Sequence, residues 1–251
     1  MRVYRAKQIA KENIGIRVPS KILLEKVPGC PDQARDKLAR GDSRIVYQRI
    51  KSKLTKTKCK MRELNLIAQT SLDGFVAGPK GEFDNFMGGE ENLQFVCSII
   101  EEADAAMFGR ISYELINSNW PTAATRPGAT KNEIKYSNWY NSVTKVVFSK
   151  TMEKGQATSI YVISDNLSSE IDKLKAQAGK NILMFGSPTV VHELLQLNVI
   201  DHIWLIVHPV LFGDGIPMFR KTGRVTRFSL LTSHQLSNGT LCNKYKVENL
   251  S

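Results

Sequence analysis

The stretch Ile182-Leu-Met-Phe-Gly-Ser-Pro-Thr-Val-Val-His-Glu-Leu-Leu195 places a strand pattern, a turn and a helix pattern in direct succession. Ile182 to Phe185 is a short apolar run of strand length. Gly186 allows a tight turn, and Pro188 suits the first position of a helix. The helix pattern is a set of apolar residues at the spacing of one buried face: Val190, Val191, Leu194 and Leu195. The stretch therefore predicts one strand–loop–helix unit.

The same alternation extends to both sides of this unit. Further strands are predicted over residues 64–68, 105–108, 145–149, 160–163 and 203–207, and further helices over 91–102, 111–116 and 167–178. After Phe219 the pattern becomes strand–turn–strand, with Asn238-Gly239 as the hairpin turn. This order predicts an α/β fold with three α-β-α layers, four or five helices, and a mostly parallel eight-stranded sheet that ends in a C-terminal antiparallel hairpin.

The first 60 residues differ from the rest in charge and in pattern. The chain has a net charge of +11, yet residues 1–60 carry 17 Lys and Arg against 5 Asp and Glu, whereas residues 61–251 carry 18 against 19. Glycine and proline interrupt the first segment repeatedly, although a short element over 14–24 and a basic helix over 36–54 are compatible with it. We therefore expect a basic extension over 1–60, partly disordered or poorly packed, and one domain over 61–251. One hypothesis is that the extension is a translated upstream region or a fused fragment outside the fold.

The composition excludes several classes of protein. Hydrophobic residues make up 42% and charged residues 24%, which is ordinary for a soluble globular protein. No apolar run approaches the roughly 18 residues of a membrane span, and the N-terminus lacks the apolar core of a signal peptide, so we expect a cytoplasmic protein. The four cysteines form no Cys-x-x-Cys pair and no cluster with histidine, which favours reduced, mostly buried thiols and no metal site: Cys30, Cys59, Cys97 and Cys242.

Three loops that follow predicted strands suit an anionic ligand, and ligands of parallel sheets bind where strands end. The helix start at 186–189 offers backbone N–H groups to a phosphate. Arg110 follows the 105–108 strand, and Ser149-Lys150-Thr151 follows the 145–149 strand. Each loop also has an ordinary structural explanation: a capped helix, a surface ion pair of Arg110 with Glu114, and a polar strand exit. Together they outline an extended, multiply phosphorylated ligand, and the missing Walker lysine and Gly-x-Gly-x-x-Gly motif disfavour a P-loop or an ordinary Rossmann domain.

The loop after the first strand holds Ser71, Asp73 and Gly74. Asp-Gly is a common turn pair, which is its structural explanation. The functional interpretation places Asp73 at the mouth of a pocket, where it could bind substrate or relay a proton.

Seven stretches in a fixed order resemble the dihydrofolate-reductase-like superfamily, in particular the RibD C-terminal domain, which is the reductase domain of riboflavin biosynthesis enzymes. They span nearly all of residues 61–251: residues 68–78, 81–84, 107–114, 120–121, 145–151, 184–187 and 209–219. The resemblance implies a dihydrofolate-reductase-like fold, NADPH as the cofactor, a small-molecule substrate and a homodimer.

The resemblance also implies where the cofactor lies. Its adenine-side phosphates would be approached by Gly109, Arg110 and Ser112. Its 2′-phosphate would lie near Ser149, Lys150 and Thr151, and its pyrophosphate would be capped by Gly186, Ser187, Pro188 and Thr189. The nicotinamide would lie against Ala68 and the loop that contains Ser71, Asp73, Gly74, Phe75 and Val76.

The chain departs from the family pattern in three respects. The family often has glycine where this chain has Phe185 and Asp214. Dihydrofolate reductases carry an acid on the first helix, facing the pterin, whereas the helix predicted over 91–102 has its acids only at its ends. This third departure argues against folate as the natural substrate.

The leading hypothesis is an enzyme that transfers a hydride from NADPH to a C=N or C=O bond of a small heterocyclic or sugar-like substrate, similar to 5-amino-6-(5-phosphoribosylamino)uracil reductase. The alternatives are dihydrofolate reductase-type activity, an NADPH-binding module without turnover, and a nucleic-acid binder that uses residues 1–60. Against the last, that segment has no recognisable nucleic-acid motif and only Tyr4 and Tyr47 for base stacking.

Overall fold

The computed structural model describes residues 61–152, 160–220, 223 and 225–248. Residues 1–60 lie outside this range, and with them Cys30, Cys59 and the predicted basic helix. Cys97 and Cys242 are buried free thiols.

The described chain is organised around one eight-stranded sheet. Its strands are β1 (Leu64–Thr70), β3 (Ala103–Gly109), β4 (Thr144–Phe148), β5 (Ile160–Ile163), β6 (Asn181–Phe185), β7 (His202–Val207), β9 (Arg227–Gln235) and β10 (Leu241–Glu248), and two short strands pair apart from them, β2 (Phe75–Ala77) with β8 (Ile216–Pro217). The order in the sheet is β5-β4-β3-β6-β1-β7-β10-β9. The first six strands in this order, β5-β4-β3-β6-β1-β7, are parallel to one another. The strand β10 pairs antiparallel with both β7 and β9. The predicted fold class is confirmed.

The helices are α1 (Glu90–Ile100), α2 (Arg110–Asn119), α3 (Lys131–Ser142), α4 (Leu167–Lys175) and α5 (Pro188–Gln196), with a 3₁₀ segment over Trp120–Thr125. The apolar spacing did not predict α3. Its start is nevertheless encoded locally by a capping box, in which the Thr130 side chain accepts from the Glu133 N–H and the Glu133 carboxylate accepts from the Thr130 N–H.

Side chains that alternate along the strands form two cores, one on each face of the sheet. Leu66 and Met184 point to the face covered by α4 and α5, where they join Ile171 and Leu194. Residues of the opposite register point to the face covered by α1 and α3: Ile67, Leu183, Cys97, Ile100 and Tyr140. Helices on both faces confirm the three-layer architecture.

The carboxyl ends of the parallel strands stand in a row along one edge of the sheet. Phe185 at the end of β6 is level with Ile67 of β1 and with Phe108 of β3, and Phe148 at the end of β4 is level with Gly109. The loops that follow β4, β3, β6 and β1 are therefore neighbours. Among the residues that the structure describes, no helix is long and apolar enough to cross a membrane.

Candidate functional site

The loops after β3 and β6 meet so closely that one of them needs glycine. A Cβ atom on Gly109 would lie 2.1 Å from Ser187 Oγ and 2.7 Å from Ser187 Cβ. A Cβ atom on Gly186 would lie 3.7 Å from Ser112 Oγ. The fold therefore brings together four residues that were predicted from separate loops to bind phosphate.

The start of α5 has an unusual backbone. Gly186 and Ser187 are both left-handed, with φ of 52° and 61°, and this conformation is strained for serine. Ser187 is the N-cap by position, but its side chain makes no capping hydrogen bond in the described structure, so the capped helix offered as the ordinary explanation of this loop lacks a side-chain cap. Because Ser187 is left-handed, its hydroxyl group lies beside Gly109 instead.

Backbone donors and a helix dipole converge at this start. Pro188 occupies the first turn as predicted, and the Val191 N–H is bonded to the Ser187 carbonyl at 3.0 Å. The N–H groups that precede Val191 belong to the first turn, which lacks intrahelical acceptors. Together with the positive end of the dipole, they favour a bound anion.

Arg220 is a member of this site that the sequence reasoning missed. Its guanidinium group donates to Thr189 Oγ1 at 2.9 Å. Arg220 is 31 residues further along the chain and follows β8. No local pattern places it there, because the contact depends on how the loop after β7 returns to the start of α5.

In the structure, Arg110 forms the surface ion pair with Glu114 that is the ordinary structural explanation of this loop. Its Nη1 atom lies 2.8 Å and 3.0 Å from the two carboxylate oxygens of Glu114, one turn further along α2. The Arg110 side chain is 43% exposed. It stands at the end of β3 but is held in a surface ion pair.

The loop after β4 divides its three predicted residues between two roles. Ser149 Oγ accepts hydrogen bonds from the backbone N–H groups of Thr151, at 3.2 Å, and of Met152, at 2.9 Å. The Ser149 hydroxyl therefore shapes the turn. Lys150 and Thr151 are exposed, and Lys150 is the cation among the described residues of this loop.

Asp73 joins two loops. Its carboxylate accepts from Ser71 Oγ at 2.5 Å and from the backbone N–H groups of Phe212 at 3.2 Å and Gly213 at 2.8 Å. The hydrogen bond from Ser71, helped by the two backbone N–H groups, lowers the pKa of Asp73 below its ordinary value of 3.8. The group is thus an ionised acceptor that ties the loop after β1 to the loop before β8.

The other residues predicted to face the nicotinamide differ in exposure. Ala68 and Ser71 are buried, at 4% and 1% exposure. Gly74, Phe75 and Val76 are half-buried, and Gly74 has a φ of 83°, which glycine tolerates. The loop therefore presents Gly74 to Val76, more than Ala68 or Ser71, to a ligand.

Two departures from the family pattern have a structural reason. Phe185 is a core residue: its ring stacks on Phe108 with centroids 5.4 Å apart and contacts Tyr136 and Trp139. Asp214 accepts from the backbone N–H of Gly215 at 2.8 Å and so shapes its own loop.

The acids of α1 are arranged as the sequence suggested. Glu90 and Glu91 in the first turn are exposed, as are Glu101 and Glu102 just beyond the last turn. The buried residues of α1 are Cys97, Ile99 and Ile100. The face of α1 that meets the sheet is therefore apolar.

Two clefts adjoin the sheet, and the first lies beside the loop after β4, because the Ser149 N–H donates to the carbonyl of Ile163, which lines that cleft. A polar notch of about 250 Å³ beside β5 is lined by Tyr161, Ser164, Asp165 and Glu170 among others, and an apolar cleft of about 280 Å³ is lined by Ile203, Leu205, Phe219, Phe228 and Tyr245. None of these residues was predicted as a site residue. Within the described ranges, no group of three or more His, Cys, Asp or Glu side chains is placed to hold a metal ion.

Comparison with known proteins gives a family and a fold. Residues 62–242 match the family model described as the RibD C-terminal domain. The uncharacterized protein YyaP of Bacillus subtilis (strain 168) is 27% identical over 182 residues, which are 72% of this chain and 93% of that protein.

Two solved structures share the fold. A putative riboflavin biosynthesis protein from Shewanella sp. PV-4 superposes with a TM-score of 0.58 at 21% identity, over 74% of this chain and 99% of that one. The dihydrofolate reductase from Enterococcus faecalis, in complex with NADP(H), superposes with a TM-score of 0.50 at 14% identity, over 74% of this chain and 97% of that one. The dihydrofolate-reductase-like fold predicted from the sequence is confirmed.

Proposed function

The chain belongs to the RibD C-terminal domain family, and from that premise we propose that residues 61–251 form an NADPH-dependent reductase that transfers a hydride to a small heterocyclic substrate. The reaction would be similar to that of 5-amino-6-(5-phosphoribosylamino)uracil reductase. One observation carries the proposal: the loops after β4, β3, β6 and β1 are adjacent, so that a cation, a helix start and a half-buried loop follow one another along a single edge.

The residues at this edge fit NADPH. The start of α5 would hold the pyrophosphate, with Gly186 and Ser187 shaping the backbone and Arg220 adding a charge. Lys150 would pair with the 2′-phosphate, and the loop over residues 74–76 would lie against the nicotinamide. When bound, the cofactor supplies the hydride, while the protein supplies position and electrostatics.

Arg110 and Asp73 take supporting roles in this proposal. Arg110 must exchange Glu114 for a phosphate when NADPH binds, because its guanidinium is paired in the structure. Asp73 is ionised and already accepts three hydrogen bonds, which favours a role in fixing the nicotinamide-facing loop over proton relay.

The test is a fluorescence titration of the purified protein with NADPH and with NADH. The wild type should prefer NADPH, and Lys150→Ala should weaken NADPH binding by about tenfold without changing NADH binding, because only NADPH carries the 2′-phosphate. The matched control is Lys246→Ala. Lys246 is an exposed lysine of β10. In the strand register it lies opposite the first residue of β7, at the other end of the strands from the cofactor loops.

Each outcome decides between the hypotheses. If neither nucleotide binds, the reductase proposal is wrong. If NADPH binds but the uracil derivative and a panel of related heterocycles cause no oxidation, the non-catalytic module is favoured. If Lys150→Ala and Lys246→Ala behave alike, the proposed 2′-phosphate site is wrong.

The homodimer is part of this proposal, and an exposed apolar surface on the C-terminal hairpin supports it. Phe228, Leu230 and Leu231 of β9 are 38%, 57% and 47% exposed. β9 is an edge strand of the sheet, and an edge strand with exposed apolar side chains offers a surface on which a second chain can pair.

A further inference from the structure

A glutamine at the end of β1 is held by a buried histidine that directly follows β7. Gln69 is exposed, and its Oε1 atom lies 2.9 Å from His208 Nε2. His208 is 0% exposed, and its backbone N–H donates to the carbonyl of Thr70 at 2.8 Å. The pair therefore stands where β1 and β7 end, on the edge that carries the proposed cofactor loops.

The Gln69 oxygen and the buried, neutral state of His208 together give the direction of this hydrogen bond. Its Nδ1 atom lies 3.5 Å from the hydroxyl of Thr240, which is itself fully buried, and Phe86 covers the ring with centroids 4.8 Å apart. Burial lowers the pKa of His208, so the imidazole is neutral and only one of its nitrogens carries a proton. Because a carboxamide oxygen can only accept, that proton lies on Nε2, which donates to the Gln69 oxygen, and Nδ1 is left to accept from the Thr240 hydroxyl.

This arrangement leaves the amide nitrogen of Gln69 as the ligand-facing group. The carboxamide oxygen is committed to His208, whereas the nitrogen carries two N–H donors. A glutamine on a flexible stem would otherwise present either end to a ligand. The buried imidazole removes that ambiguity and reduces the side-chain entropy that binding must overcome.

The Gln69 side chain also points to the face of the sheet that α1 covers. Ile67, two residues earlier on β1, belongs to the same core as Cys97 and Ile100 of α1. The acids of α1 are exposed at its ends. The polar group that the structure offers on this face at the end of β1 is therefore a neutral amide.

We propose that Gln69 is a ligand-binding residue whose amide N–H groups donate to a carbonyl-type oxygen of a neutral heterocycle, and that His208 is its positioning residue. The inference rests on the proposed function, because it assumes that this edge binds cofactor and substrate together. A neutral donor favours an acceptor oxygen and gives no ion pair to a protonated heterocycle. The pair thus selects for carbonyl-bearing rings over cationic ones.

The experiment compares two probes on the NADP⁺-loaded protein by calorimetric or NMR titration: uracil, which presents carbonyl oxygens, and 2,4-diaminopyrimidine, a basic ring that presents donors. The wild type should bind uracil better than 2,4-diaminopyrimidine. Gln69→Glu replaces the donor with a charged acceptor, so it should weaken uracil by about tenfold and strengthen 2,4-diaminopyrimidine, which reverses the preference.

A second glutamine–histidine pair provides the matched control. Gln196 Nε2 lies 3.1 Å from His192 Nε2 on α5, outside the row of strand ends. Gln196→Glu makes the same chemical change and should leave the preference between the probes unchanged. A reversal of preference in Gln196→Glu would overturn the inference, because it would show a general effect of charge.

His208→Phe tests the positioning role. Phenylalanine keeps an aromatic ring beside Phe86 but cannot donate to Gln69, so uracil binding should fall by about threefold without any gain for 2,4-diaminopyrimidine. Should this variant fail to fold, Gln69→Glu still decides, because Gln69 is exposed.

The two proposals fail in different ways. If wild-type protein does not bind NADP⁺ or NADPH, the proposed function is wrong. If the cofactor binds normally and Gln69→Glu leaves the ratio of the two probe affinities unchanged, only the role of Gln69 is wrong.

Discussion

At the scale of single residues, Gly109 and Ser187 show how one contact can constrain two loops. Gly109 has an ordinary extended backbone, with φ of −78°, so its conformation does not require glycine. Its requirement is steric, because Ser187 occupies the space that a side chain would need. Ser187, in turn, is left-handed and lies beside Gly109 where a capping serine would normally bond its own helix.

Gly109→Ala should lower the free energy of unfolding by about 1–3 kcal/mol, since the new methyl group overlaps the Ser187 side chain. In a Ser187→Gly background the same substitution should cost much less, because the overlapping atoms are gone. Urea unfolding of the four proteins of this double-mutant cycle measures the difference.

Gly88→Ala is the matched control. A Cβ atom there meets no atom within 4 Å, so we expect a change of no more than about 0.5 kcal/mol. An equal cost for Gly109→Ala in both backgrounds would show that the Ser187 side chain is not the obstacle.

The sequence by itself indicated part of this arrangement. It named Gly109, Ser112, Gly186 and Ser187 as members of one site, and the fold brings them together. It left open whether Arg110 binds Glu114 or a phosphate, and the structure shows the ion pair with Glu114. Spacing along a helix gives both possibilities, because a local pattern contains no information about a ligand.

At the scale of elements, the loop–helix unit of β6 and α5 depends on a residue from another part of the chain. The start of α5 supplies backbone donors, and Arg220 supplies the cation through its contact with Thr189. The pyrophosphate is common to NADPH and NADH. Arg220 and Lys150 should therefore affect the two nucleotides differently.

Arg220→Ala should weaken NADPH and NADH by a similar factor, about threefold to tenfold, because it removes a charge from the shared phosphates. The fluorescence titration described for Lys150→Ala measures both. Arg227→Ala is the control. Arg227 is exposed at the start of β9, where it lies opposite Glu248 in the strand register, away from the cofactor loops. A loss confined to NADPH would move Arg220 from the pyrophosphate to the 2′-phosphate.

The elements themselves were predictable where a regular pattern repeats. The strands of the main sheet follow from alternation, short apolar runs or a hairpin turn, and four of the five described helices follow from helical spacing. The helix α3 was not predicted, because its buried residues are Tyr136, Ser137 and Tyr140, which do not form an apolar stripe. The two short strands β2 and β8 were not predicted, because two or three residues are too few to show a period.

At the scale of the whole molecule, the fold of a single chain gives no function to the exposed side chains of β9. The strand is exposed along its full length, and Leu230 is its most exposed large apolar residue. An edge strand with apolar side chains can pair with a second copy or associate without order. The proposed homodimer covers this surface in a defined way.

Leu230→Glu should convert a dimer into a monomer, because it places a charge in the proposed interface. Size-exclusion chromatography with light scattering measures the mass before and after the substitution. Leu197→Glu, at an exposed leucine after α5, should leave the mass unchanged. A wild-type protein that is already monomeric at all accessible concentrations would refute the proposed dimer.

The sequence by itself determined most of the succession of elements, the hairpin turn, the fold class and the loops that end the parallel strands. These features depend on residues only a few positions apart, where periodicity, turn glycines and backbone preferences act directly. The family pattern then attached NADPH to those loops. The apolar face of α1, also readable from local spacing, argued against folate.

Only the tertiary structure decided which distant residues meet at this edge of the sheet. Arg220 reaches Thr189 across 31 residues, and His208 holds Gln69 across 139. Such pairs leave no period in the sequence, because their proximity depends on which strands become neighbours in the sheet. β1 lies beside both β6 and β7, and that arrangement places the helix start, the arginine and the glutamine–histidine pair along one edge.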